Sequence, residues 1–116
     1  MDLEDLEVYQ LAEDLVLFVY RQTKKFPRAE LYGLTSQIRR AGVSVLANIA
    51  EAWGRYHYKD RLHFLYNARG SLLELWALFK VSEKLDYWED DEEFGRKMKN
   101  LRVKLNNYIQ SFRKKS

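Results

Sequence analysis

A chain of 116 residues, 47% hydrophobic and 15% aromatic, is long enough for one core and too apolar for disorder, so a single domain over residues 1–116 is expected. The absence of cysteine excludes disulfides and thiolate metal ligands, and no apolar run approaches the roughly 20 residues of a membrane span. The net charge of +3 is unevenly placed, with six acids and no base in residues 1–20 and eight bases and no acid in residues 94–116.

One proline and five glycines are little punctuation, which favours long helices over many short strands. The first predicted helix spans residues 3–25. Val8, Ala12, Leu15 and Val19 are its core stripe, widened by Leu11, Val16, Phe18 and Tyr20. Phe26-Pro27 ends it, because proline lacks an amide hydrogen and disfavours helix in the residue before it.

The second predicted helix, within residues 30–55, is apolar almost all round. Leu34, Ile38, Ala41, Val45, Ile49 and Ala52 fill one face, and Val43, Leu46, Ala50 and Trp53 extend it. Such an arc needs partners on several sides, so this helix is expected to be the most buried and the chain to form a homo-oligomer. Gly42 costs roughly 1 kcal/mol in a helix interior, which implies close approach of another backbone. Gly54 is expected to form a left-handed cap.

The third helix covers residues 58–85, with Leu65, Ala68, Leu72, Leu75 and Phe79 as its core stripe. An acidic turn over residues 89–93 suits the positive end of a fourth helix over residues 91–112. Phe94, Met98, Leu101, Leu105, Tyr108 and Phe112 form a single narrow seam there. Four such helices with short connections predict an all-α fold, an antiparallel up-down-up-down four-helix bundle.

The second and third helices each carry a polar stripe: Arg40, Ser44, Asn48 and Glu51 on one, His63, Asn67, Ser71 and Glu74 on the other. In an antiparallel hairpin, residues at equal height have a nearly constant sum of residue numbers. This register pairs Arg40 with Glu74, Ser44 with Ser71, Asn48 with Asn67 and Glu51 with His63. Three readings stand, in order of preference: a structural polar ladder wholly or partly buried between the helices, a solvated seam, and a ligand or catalytic site.

Catalytic motifs are missing. Asp60-x-x-His63 is the one fragment of a di-metal pattern, and there is neither a phosphate-binding glycine loop nor a Gly-x-Ser-x-Gly elbow. No enzyme activity, metal or cofactor is therefore expected. Trp53, Trp76 and Trp88 read as core or interface anchors. The acidic N-terminus lacks the pattern of a signal peptide, and a cysteine-free chain suits the cytoplasm. Candidate phosphate contacts are Arg55, Lys59, Arg61 and Arg69, with Arg96, Lys97, Lys99, Arg102 and Lys104 on the fourth helix. The competing reading of the charge asymmetry is two solvated faces attracting each other across the bundle.

Several segments carry a family resemblance: LEDLEVYQLA, FPRAELYGLTSQIRRAGVSVLANIAEAWGR and FLYNARGSLLEL. They resemble the small bacterial four-helix-bundle proteins encoded in intervening sequences of 23S ribosomal RNA genes. That family is similar to the accessory protein of diversity-generating retroelements, which works with a reverse transcriptase and RNA. Three positions depart from the pattern: Ala52 and Asp86 stand where the family usually has glycine, and Tyr9 where it has tryptophan. The resemblance implies a barrel-shaped homopentamer that binds nucleic acid, RNA favoured, and no enzyme activity. The alternative is a protein-interaction scaffold or an accessory subunit for a polymerase.

Overall fold

A computed structural model describes residues 1–115; Ser116, the last residue of the expected domain, lies outside the described residues. Four helices carry the fold: α1 (Glu7–Thr23), α2 (Leu34–Trp53), α3 (Tyr58–Lys84) and α4 (Glu92–Arg113). Single 3-10 turns at Leu3–Asp5 and Arg28–Glu30 precede α1 and α2, and no strand is present among the described residues. Each helix packs on its sequence neighbours and α4 closes back on α1, giving the up-down-up-down four-helix bundle. The molecule measures 45 × 27 × 22 Å.

The heptad-like stripes converge on one core. Val8, Ala12, Leu15 and Val19 of α1 meet Ile38, Val45 and Ile49 of α2, Leu65, Leu72 and Leu75 of α3, and Leu101, Leu105 and Ile109 of α4. One end of the bundle is closed by aromatics. Phe79 lies 4.9 Å, centroid to centroid, from both Trp88 and Phe94, and Phe18 lies 5.9 Å from Phe94. Burying each such ring contributes about 1.5–3 kcal/mol.

Several boundaries differ from the sequence expectation. Residues 3–25 are not one helix: Leu6 is extended (φ −76°, ψ 123°) and separates the 3-10 turn from α1. The carboxylate of Asp5 turns back to accept the amide of Asp2 at 2.9 Å, a local bond that competes with a continuous helix. Similarly α2 begins at Leu34 rather than at residue 30, because Glu30 folds back and accepts the Leu34 amide at 3.1 Å. Gly33 permits this, since a Cβ there would sit 2.5 Å from the Glu30 Oε1. At the start of α4, Asp91 accepts the Phe94 amide at 2.9 Å, an N-cap followed by Glu92 and Glu93 in the first turn.

The left-handed cap is on a different helix. Gly54 is right-handed (φ −78°, ψ −6°), whereas Asp86 after α3 has φ 62°. There Tyr87 donates its amide to Ser82 O at 2.9 Å and Asp86 donates to Glu83 O at 3.0 Å, the two bonds of a Schellman motif.

Two expectations about α2 are corrected. Seven of its 20 residues are buried, the same share as six of 17 in α1 and the same number as in the longer α3, so it does not stand out as the most buried helix. A helix in a four-helix ring touches only two flanking neighbours, and its outward arc stays open: Val43 and Ala47 are exposed, Leu46, Ala50 and Trp53 half-buried. Gly42 faces the Val19 side chain of α1, with a built Cβ 3.5 Å from Val19 Cγ2, so its close neighbour is a side chain rather than another backbone.

Candidate nucleic-acid interface

The α2–α3 seam lies at the surface. Arg40, Glu51, His63, Asn67 and Glu74 are exposed, while Ser44, Asn48 and Ser71 are half-buried. Ser44 and Ser71 share a hydrogen bond at 2.8 Å, and the Asn48 amide donates to Ser44 O at 2.8 Å and to its Oγ at 3.1 Å. The other three rungs do not form. Arg40 and Glu74 make no ion pair, Asn48 turns to its own helix instead of Asn67, and Glu51 pairs with Arg55 at 3.1 Å instead of meeting His63. Long charged side chains gain little from pairing in water and lose rotamer freedom, which leaves both end pairs open, and of the four pairs only Ser44 with Ser71 locks. Ser44, Asn48, Asn67, Ser71 and Glu74 line one shallow depression with Tyr66 and Gly70. Among the described residues no group of three or more histidines and carboxylates is placed to hold a metal.

The nine candidate cations divide into three sets. On the α1–α4 face, Lys97 pairs with Asp14 and Glu93, and Lys104 pairs with Glu7 at 3.0 Å. The charge asymmetry of the chain is thus partly neutralised by surface ion pairs between α1 and α4, as expected of two faces that attract each other. On the α3–α4 face, Arg69, Lys99 and Arg102 line a groove floored by Leu72, Phe94 and Met98. None of these three pairs with a carboxylate; Arg69 instead donates to Asn106 Oδ1 at 3.3 Å and lies 5.1 Å from the Tyr66 ring centroid. The acid lining this groove, Asp90, is held by Lys80 at its far end. Arg96 is also exposed on α4.

The third set, Arg55, Lys59 and Arg61, sits where α2 turns into α3. Arg61 donates to Arg55 O at 2.6 Å and its guanidinium lies 5.3 Å from the Phe112 ring, which ties this turn to the end of α4. Arg55 lies 4.6 Å from the Phe64 ring. Burial pushes the Tyr108 phenol above its ordinary pKa, with Arg61 pulling the other way.

Some groove residues were not singled out as functional from sequence. Tyr66, Leu73 and Trp76 follow a third stripe on α3, spaced with Arg69 and Lys80, and Leu73 is 67% exposed. The spacing was readable, but a few aromatic or apolar positions beside two other stripes do not announce which face has no neighbour. Trp76, expected as a core or interface anchor, is 45% exposed, whereas Trp88 is buried in the aromatic end.

The family described as 23S rRNA-intervening sequence protein matches residues 4–110. The chain belongs to this family. No curated protein matches the chain significantly. The matched residues span α1 to α3 and α4 as far as residue 110, so the uncovered α3–α4 groove and the α2–α3 turn are parts of the family domain. No helix among the described residues is long and apolar enough to cross a membrane.

Proposed function

We propose that this protein is a non-enzymatic, cytoplasmic helical-bundle module that binds nucleic acid, RNA favoured, and works as a homo-oligomer. The observation that carries the binding reading is the α3–α4 groove. Arg69, Lys99 and Arg102 have no carboxylate partner there, and Tyr66 and Trp76 stand beside them. Cations free of internal pairing are available to phosphates, and binding then releases counterions. The intervening-sequence family supports RNA as the partner class. Five chains are favoured for the assembly on the family resemblance, and the open arc of α2, with Val43 beside exposed Leu31 and Tyr32, supports self-association.

The test is titration of labelled RNA with the full chain over a range of salt. Affinity that falls steeply with salt supports the reading. A second reading, a scaffold for a polymerase-type protein, is favoured by Leu73 and Trp76, since an apolar groove rimmed by arginine suits a protein surface. Absence of RNA binding at low salt favours that second reading.

A further inference from the structure

We propose that the end of the bundle built by the α2–α3 turn and the last turn of α4 is a base-stacking site for single-stranded nucleic acid. The proposal rests on the nucleic-acid reading above and names its substrate class and the residues that contact bases.

Tyr56 is 86% exposed, so it contributes almost nothing to the core. Its ring meets His57 in a T-shaped contact at 5.0 Å and is otherwise open to solvent. Next to it Tyr58, 39% exposed, stacks obliquely on Phe112 at 5.6 Å. Cations lie against Tyr58 and Phe112. Lys115 Nζ is 5.5 Å from the Tyr58 centroid and the Arg61 guanidinium is 5.3 Å from that of Phe112. Aromatic faces flanked by cations are the combination that holds unpaired bases: the ring stacks on the base and the cation takes the adjacent phosphate.

The acids of this end are partly taken up by ion pairs. Glu51 is held by Arg55, and Glu7 of α1 is held by Lys104. Asp60 is exposed beside Lys59, and Asp2, Glu4 and Asp5 lie on the α1 side of the same end. The bases of a duplex are stacked on each other and cannot reach a ring on a turn, so the site selects single strands, loops or ends. The α3–α4 groove leads toward this end, since Tyr58 and Arg61 of α3 meet Phe112 of α4 beyond Arg69 and Asn106. A strand held by its phosphates in the groove therefore delivers its bases to Tyr56 and Tyr58.

The experiment measures fluorescence anisotropy of labelled oligouridylate and of a blunt RNA duplex of equal length, using the full chain. Tyr56→Ala should weaken single-strand binding about 5- to 150-fold, leave the salt slope unchanged and leave duplex binding unchanged. Tyr56→Trp should retain single-strand binding. Lys99→Ala with Arg102→Ala should instead weaken both ligands and flatten the salt slope. If Tyr56→Ala binds oligouridylate like the parent while the double variant does not, the stacking site is overturned and the nucleic-acid reading stands. If the parent chain binds neither RNA, both are overturned. Because Tyr56 is exposed, circular dichroism of Tyr56→Ala should match the parent.

Discussion

The Tyr87 hydroxyl donates to Glu30 Oε2 at 2.9 Å, joining the α1–α2 turn to the α3–α4 turn across 57 residues of sequence. The other oxygen of the same carboxylate accepts the Leu34 amide that opens α2. One side chain thus caps a helix and fastens the two turns at one end of the bundle.

Replacing Glu30 removes both bonds. Glu30→Ala should destabilise the fold by about 1–2 kcal/mol in urea unfolding, more than Tyr87→Phe, which leaves the cap in place. The hydrogen bond to Glu30, with burial second, holds the Tyr87 phenol above the ordinary tyrosine value. A folded-state pKa raised above the unfolded one gives a contribution that is complete below the ordinary value and is lost as pH rises through the raised one. The stability difference between the parent and Tyr87→Phe should therefore shrink in strong alkali and stay constant from neutral to mildly alkaline pH.

Asp86 holds a left-handed conformation that costs most L-residues about 1–2 kcal/mol and glycine almost nothing. Asp86→Gly should raise the unfolding free energy by about 0.5–1 kcal/mol, and Asp86→Val should lower it. A neutral or negative result for glycine would show that the aspartate side chain makes up the difference.

The glycines separate by what surrounds them. A Cβ on Gly42 meets Val19 at an ordinary contact distance, and one on Gly70 meets nothing. Alanine at either position should stabilise the single bundle by up to about 1 kcal/mol through helix propensity. Alanine at Gly33 should do the opposite, because it displaces the Glu30 carboxylate. Thermal melts of the three variants check the signs together.

On the α2–α3 seam, Ser44→Ala should cost about 1 kcal/mol, since it removes a hydrogen bond to Ser71 and one to Asn48. Glu74→Ala should change stability by less than about 0.5 kcal/mol, since the carboxylate is exposed and unpaired with Arg40. A loss of several kcal/mol for Glu74→Ala would restore the buried-ladder reading, in an assembly that covers this face.

Among the cations, Lys99→Ala with Arg102→Ala should weaken RNA binding similarly for unrelated sequences, lowering the salt slope by roughly 0.7 to 0.9 for each phosphate no longer neutralised. Lys97→Ala with Lys104→Ala should have a smaller effect on binding, because those ammonium groups already serve Asp14, Glu93 and Glu7. Equal losses from the two pairs would mean that the α1–α4 ion pairs open on binding.

Periodicity alone determined the four helices, their order and most of the core, because burial repeats with the helical turn: Leu65, Leu72, Leu75 and Phe79 lie on one stripe wherever the helix goes. It also placed Ser44 level with Ser71, since an antiparallel hairpin admits few registers. Helix ends were less legible, because Glu30 and Asp5 stop helices by folding back onto amides, a choice between local bonds that composition does not weigh. Charge was the least legible. Lys97 and Lys99 are two residues apart on the same basic helix, yet one faces Asp14 on α1 and the other an open groove beside α3. Residues two apart in a helix point in directions about 200° apart, and only the packing of α4 between α1 and α3 decides which cation is neutralised and which is free.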